Sequence, residues 1–173
     1  MIGEDRGQLT VRLAIISDTH LPKGQRELPG ECLRRLAQAD AIIHAGDLST
    51  VAVLERLRGI GPPVTAVHGN VDDAATRAAL PETAVLEAAG RRIVVVHDAG
   101  PASGRLVRLQ RRFPSADAVV FGHSHIPLLE RAPDGFQIFN PGSPTERRRA
   151  PHHTMGVASA EAGELRFALV TLD

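Results

Sequence analysis

Arg12-Leu13-Ala14-Ile15-Ile16-Ser17-Asp18-Thr19-His20 is the stretch on which the reading of this chain turns. Leu13 to Ile16 are apolar without interruption, and the run stops at Asp18. A short unbroken apolar run fits a strand buried on both faces. The polar residues behind it then lie where the strand leaves its sheet. The same transition recurs along the chain. Ala41-Ile42-Ile43-His44 runs into Gly46-Asp47, and Val64 to His68 into Gly69-Asn70. Arg92 to Val96 runs into His97, and Ala118 to Phe121 into Gly122-His123-Ser124-His125.

The intervening segments read as helices and turns. Glu31 to Ala39 has helical spacing, with Leu33, Leu36 and Ala37 on one face. Ser49 or Thr50 is expected to cap a helix over Val51 to Arg58, and Asp72 or Asp73 a short helix ending at Leu80. Ala84 to Ala88 and Arg92 to Val96 flank Ala89-Gly90-Arg91 as a hairpin. Ser103 to Arg112 is amphipathic, and four further strands are expected at Pro127 to Glu130, Phe136 to Phe139, His153 to Ala160 and Leu165 to Leu172. Alternating strands and helices, then mostly strands, indicate an α/β fold with mixed sheets. Residues 1–10 are expected to form a short flexible extension and residues 11–173 a single domain.

Composition narrows the function. The 173 residues are 43% hydrophobic with zero formal net charge, so bulk charge gives no argument for nucleic acid or an anionic membrane. Tyr and Trp are absent and there are five Phe, which disfavours an aromatic platform for single strands. Cys32 is the sole cysteine, which excludes an intramolecular disulfide. Met1 to Gln8 lacks the apolar run of a signal peptide, and no segment reaches a membrane span, so a cytoplasmic protein is expected.

Asp18, His20, Asp47, Asn70, His97, His123 and His125 all follow strand ends. Asp18, Asp47, Asn70, His97 and His123 are separated in turn by 29, 23, 27 and 26 residues, each about one strand plus a helix or hairpin arm. This rhythm gathers them on one edge, at the carboxyl ends of the strands, where open α/β sheets place ligands. Seven donors exceed one tetrahedral site and suit two ions sharing a carboxylate, about 3.5–4 Å apart. Mixed imidazole and carboxylate donors suit manganese, iron, zinc or nickel better than calcium or magnesium. Two divalent cations against two aspartates and a hydroxide leave a net positive site, attractive to a phosphoryl group.

Asp-x-His, Gly-Asp, Gly-Asn, a lone His and Gly-His-x-His, in this order, resemble the calcineurin-like metallophosphoesterase superfamily. The single-domain size, Gly122-His123-Ser124-His125 and Asn140-Pro141-Gly142-Ser143 are similar to its small phosphodiesterase group, and the resemblance runs from about Leu13 to Ser143. It implies a four-layer αββα sandwich of two mixed β-sheets flanked by helices. It also implies two divalent ions, manganese first, with iron, zinc or nickel as alternatives. Asp18, His20 and His125 would hold one ion, and Asn70, His97 and His123 the other, with Asp47 between them. Asp47, Asn70 and His97 would also serve catalysis. The implied reaction is in-line attack of a metal-bound hydroxide on a small phosphate ester, with nucleic acid only as a possible substrate. A protein-binding scaffold and a phosphomonoesterase are the competing readings.

Many family members carry His after the Gly-Asn pair; here Val71 stands in its place. Val71 cannot donate a proton, so poorly activated monoesters should suffer most and a phosphodiesterase is favoured. Asp98 after His97 either orients an imidazole or serves a turn. His44 and His68 read as hydrogen-bonded strand histidines, with support of the ligands as the alternative. Arg147-Arg148-Arg149 reads as a solvated loop or as a phosphate clamp. Cys32 reads as a small core residue, Asn140 as the builder of a turn beneath the ligand loops, and His152 and His153 as surface residues.

Overall fold

The computed structural model describes residues 9–173. Most of the extension expected at the N-terminus, residues 1–8, lies outside the described residues. The elements in chain order are β1 (Val11–Ile16), α1 (Gly30–Gln38), β2 (Ala41–His44), α2 (Val51–Arg58), β3 (Val64–Ala66), α3 (Ala74–Ala79), β4 (Thr83–Ala88), β5 (Arg91–Val96), α4 (Arg105–Arg112), β6 (Ala118–Val120), β7 (Leu128–Arg131), β8 (Gln137–Asn140), β9 (Thr154–Glu161) and β10 (Glu164–Thr171). One sheet has the order β10-β9-β1-β2-β3 and the other β4-β5-β6-β8-β7. The pairs β1–β2, β2–β3, β5–β6 and β6–β8 are parallel, and the pairs β1–β9, β9–β10, β4–β5 and β7–β8 are antiparallel. Both sheets are mixed, as the change in sequence pattern halfway along the chain implies.

Alternation in β1 shows why its apolar run is unbroken. Leu13 and Ile15 face the interior between the sheets, with Ile43, Val95, Val120 and Phe139. Ala14 and Ile16 face outward beneath α1 and α2, with Cys32, Leu36, Leu54 and Leu57. The second sheet repeats this: Val94, Val119 and Ile138 pack outward with Leu109 of α4. Helices thus cover both outer faces, giving the four layers of an αββα sandwich. Among the described residues no helix is long and apolar enough to cross a membrane.

Boundaries moved where local geometry decides them. The β4–β5 hairpin closes through two residues, Ala89 and Gly90, with Ala88 paired to Arg91. Both have positive φ, 49° and 76°, as a tight hairpin turn requires. Strand β3 ends at Ala66 because the chain then turns toward the strand exits, and the His68 N–H bonds the Pro81 carbonyl at 3.1 Å. Thr50 takes the cap position of α2 without a side-chain hydrogen bond. Asp73, not Asp72, caps α3 by accepting from the Thr76 N–H at 2.8 Å. Cys32 lies in the buried core, and burial pushes its thiol up to about 12.

The sheets meet tightly at Gly156 of β9, which pairs with Ile15. The Phe139 ring from the opposite sheet occupies the space a side chain at 156 would need and stacks on Phe167 at 4.8 Å between centroids. Gly156→Ala is therefore expected to lower the unfolding free energy by about 1–3 kcal/mol in urea denaturation, the usual cost of an overpacked core. A change within about 0.5 kcal/mol would mean that Phe139 moves aside freely.

Candidate metal centre

The exits of β1, β2 and β3 from one sheet, and of β5 and β6 from the other, meet at one end of the sandwich. Backbone hydrogen bonds tie them in order. The Asp18 N–H bonds the Gly46 carbonyl at 2.9 Å, the His20 N–H bonds the Asp47 carbonyl at 3.0 Å, and the Gly122 N–H bonds the His97 carbonyl at 3.0 Å. A β-carbon on Gly69 would overlap the Asp47 carboxylate, and one on Gly122 would overlap Ser17 and Asp18. The glycines that precede Asn70 and His123 are thus required by the closeness of these loops.

The seven side chains named from the sequence all reach this point. His20 Nε2 and His125 Nε2 lie 3.2 Å apart, with Asp18 Oδ1 3.5 Å from His125 Nε2. His97 Nε2 and His123 Nδ1 each lie 3.0 Å from Asn70 Oδ1. Asp47 Oδ2 sits between the two groups, 3.2 Å from His97 Nε2 and 3.7 Å from His20 Nε2. Asp18, His20 and His125 can together surround one cation, and so can Asp18, Asp47 and His97, with every donor atom of a set within 4.8 Å of the others. These residues fit a metal centre on chemical grounds as well. The His125 Nδ1–H donates to the Glu146 carbonyl at 2.5 Å and the His97 Nδ1–H to the Ala45 carbonyl at 2.7 Å. Each ring is thereby oriented with its Nε2 turned inward, as metal-ligating histidines are.

Five of the seven residues hold left-handed backbone: Asp18, His20, Asp47, His123 and His125 have φ between 46° and 68°. Non-glycine residues seldom adopt it, and such strain concentrates at functional sites.

Supporting residues emerge that sequence reading missed. Asp72 is buried, and its carboxylate accepts the N–H groups of Asp47 at 3.1 Å, Ser49 at 2.6 Å and Gly69 at 2.6 Å. It clamps the Gly46-Asp47 loop to the Gly69-Asn70 loop. Its spacing from Asp73 suggested a helix cap, and only its burial reveals the other role. Arg77 donates to the carbonyls of Asn70 at 2.6 Å and Asp72 at 2.9 Å. Ser143 Oγ donates to the Asp18 carbonyl at 2.8 Å. Asn140, by contrast, is where the sequence places it, building the turn beneath these loops by donating to the Gly122 carbonyl and accepting from the Gly142 N–H, both at 2.9 Å.

Asp98 accepts from the Gly100 N–H at 2.7 Å and serves the turn. His44 accepts from the Gly46 N–H at 3.2 Å and meets Thr19 Oγ1 at 3.0 Å. Burial pushes its imidazole down to about 3, so it stays neutral beneath the centre. His152 and His153 pair with Asp173 at the surface.

The two aspartates differ in protonation. Burial pushes the Asp18 carboxyl up to about 7, against the pull of His97 and Ser17. Burial acts on Asp47 too, but the His97 hydrogen bond and charge and the Val71 N–H outweigh it and hold Asp47 at about 2. Burial opposes charging His97, yet Asp47 and Asp18 together raise its pKa. His20 and His125 are both lowered, chiefly by burial, His125 to about 4.

An αββα sandwich with imidazoles and carboxylates gathered at its strand exits is the arrangement of a metallophosphoesterase. The sequence matches the calcineurin-like phosphoesterase superfamily domain over residues 11–163, and the chain belongs to that superfamily. A probable metallophosphoesterase of Methanocaldococcus jannaschii is 34% identical over 142 residues, covering 80% of this chain and 71% of that protein. Among solved structures, vacuolar protein sorting 29 of Cryptosporidium parvum superposes with a TM-score of 0.77 at 21% identity, covering 93% of this chain and 97% of its own. An archaeal phosphodiesterase superposes with a TM-score of 0.68 at 19% identity, covering 92% and 99%. The last two likenesses concern the fold alone.

Two outcomes are expected. Between pH 3.8 and about 7 the folded metal-free protein retains a proton on Asp18 that the unfolded chain has released, so the contribution of Asp18 to stability falls as pH rises through that window, while the lowered His44, His20 and His125 contribute in the opposite sense. A divalent ion must displace that proton below about pH 7. Titration calorimetry with manganese at pH 6, in buffers of different ionisation heats, should show at least about one proton released per protein, and fewer at pH 8. Equal heats in all buffers would contradict this. Asp72→Ala should strand three backbone N–H groups, lower stability by at least about 2 kcal/mol, and weaken metal binding about 10–100-fold. Denaturation and metal titration of the same variant check both effects.

Proposed function

We propose that the protein is a dinuclear metal-dependent phosphodiesterase. The observation that carries this reading is the position of Asp47 Oδ2 between two groups of inward-facing donors, one around His20 and one around His97. Asp18, His20 and His125 would hold one divalent ion, Asn70, His97 and His123 the other, and Asp47 would bridge them. Manganese is the first candidate on donor chemistry, with iron, zinc or nickel as alternatives. When bound, such ions supply Lewis acidity to phosphoryl oxygens and a nucleophile from water at neutral pH.

The chain's own residues set the rest. The carbonyls of Ala45 and Glu146 hold the His97 and His125 rings in one tautomer. Asp72 keeps Asp47 and Asn70 in register, so the substrate would meet a preformed site. A cleft of about 270 Å³ opens beside Asn70, His97 and His123 and includes His68, Glu82 and Arg112. The leaving group would lie there. Val71 is 48% exposed, and its N–H donates to Asp47 Oδ1 at 3.0 Å. Its side chain offers no proton to a departing alkoxide. A positioned acid is worth about 10²–10⁴-fold, so esters with good leaving groups are favoured, and diesters over unactivated monoesters.

Manganese-loaded protein should cleave bis-p-nitrophenyl phosphate faster than alkyl monoesters, and Val71→His should raise the monoesterase rate. Equal or reversed rates would contradict the diester preference. A metal-loaded protein inactive on every diester and monoester tested would contradict the enzyme reading and favour a protein-binding role.

A further inference from the structure

The loop from Pro141 to Ala150 does more than cap the sandwich. Three contacts fasten it to the centre: Ser143 Oγ to the Asp18 carbonyl, Thr145 Oγ1 to the Thr19 carbonyl at 2.6 Å, and the Glu146 carbonyl to His125 Nδ1. Arg147 turns back on its own loop, donating to the Ala150 carbonyl at 3.1 Å. That bond closes the turn whose backbone also joins the Ala150 N–H to the Arg147 carbonyl at 2.8 Å. Arg148 goes the other way. It holds left-handed backbone, φ 47°, and its Nη1 lies 3.4 Å from the His123 carbonyl. Its charge is near enough to disfavour protonation of both His20 and His125. Arg148 and Arg149 line a cleft of about 390 Å³ with His123, Ser124 and Ile126, which meets the cleft beside Val96 and Arg112 at His123. Among the described residues neither guanidinium pairs with a carboxylate, and Glu146 of the same loop is held by Arg26 at 3.0 Å.

The charge balance makes this cleft informative. A phosphodiester carries one negative charge at the scissile phosphorus, and the metal centre already supplies positive charge there. Two more unpaired guanidiniums are surplus for a substrate with neutral arms. A guanidinium fork matches phosphate oxygens in pairs, and Ser124 adds a hydroxyl. We infer that Arg148 and Arg149 form a subsite for a second phosphate group on the substrate, borne by the arm that stays with the scissile phosphoryl group. This rests on the phosphodiesterase reading. The substrate class is a phosphodiester carrying a further phosphomonoester, of nucleotide or polyol-phosphate origin.

The test compares matched esters on manganese-loaded protein. One pair is thymidine 5′-(p-nitrophenyl phosphate) with and without a 3′-phosphate; the other is p-nitrophenyl glycerol phosphate with and without a second phosphate. The KM should be about 10–100-fold lower for the phosphorylated member of at least one pair, and the preferring pair identifies the source. Arg148→Ala should remove that preference, Arg148→Lys should restore part of it, and Arg166→Ala, at the far end of the sandwich, should leave it unchanged. Binding gives a readout apart from turnover: by calorimetry, thymidine 3′,5′-bisphosphate or glycerol bisphosphate should bind more tightly than its monophosphate, and the Arg148→Ala variant should lose the difference. No preference in either pair, in turnover or in binding, overturns the subsite even if diesters are cleaved. A binding preference that depends on Arg148, without hydrolysis of any diester, keeps the subsite and overturns the phosphodiesterase reading.

Discussion

The close approach of the strand exits is the constraint on which the rest depends. Two sheets meet at one end, and their loops come so near that Gly69 lies against Asp47 and Gly122 against Ser17 and Asp18. Side chains from separate exits reach a common point only if the backbone curls back within one or two residues. Left-handed φ at Asp18, His20, Asp47, His123 and His125 is that curl. Each such residue costs on the order of 1–3 kcal/mol, and the surroundings must offset it. They do so with backbone hydrogen bonds between successive exits and with the buried Asp72 carboxylate, which accepts from three N–H groups at once.

The same compression shapes the electrostatics. Asp18 and Asp47 have the same chemistry and opposite shifts, one pushed up to about 7 and the other held at about 2. Burial acts on both, but Asp47 has His97 and the Val71 N–H to support its charge. A centre that holds a proton on Asp18 up to about pH 7 is limiting its own buried negative charge with the nearest available cation. A divalent ion does this better, because it serves both carboxylates and the imidazole lone pairs together. Neutral His44 directly beneath the centre fits this logic, since a charged ring there would compete with the ion.

Much of this was legible in the sequence. Unbroken apolar runs ending in Asp, Asn or His mark strands buried on both faces with polar exits, and that pattern alone located β1, β2, β5 and β6 and the residues behind them. The change from alternating elements to successive strands carried the mixed character of the sheets. What escaped was information held in three dimensions. Asp72 and Asp73 look equivalent in the chain, yet one caps α3 and the other is drawn inward to the N–H groups of Asp47, Ser49 and Gly69. Glu146 contributes through its carbonyl, which no side-chain reading can find. The premature end of β3 depends on a hydrogen bond to Pro81, thirteen residues after His68.

The surroundings of the centre are uneven. On the Asn70 side, Val71 is apolar, Arg77 is committed to two backbone carbonyls, and Arg112 shares the cleft with the carboxylates of Glu82 and Asp98. On the His123 side, Arg148 and Arg149 face an open cleft. The loop that carries them also supplies the carbonyl that fixes His125 and the hydroxyl that holds Asp18. A charged group seated against Arg148 would therefore act on a segment already fastened to two of the candidate ligands. Strand exits set the geometry of the centre, and the Pro141–Ala150 loop is hydrogen-bonded to it at Asp18, Thr19 and His125. Neither side chain takes part in the contacts that anchor the loop to Asp18, Thr19 and His125, and of the two it is Arg148 that also reaches a donor segment, at the His123 carbonyl.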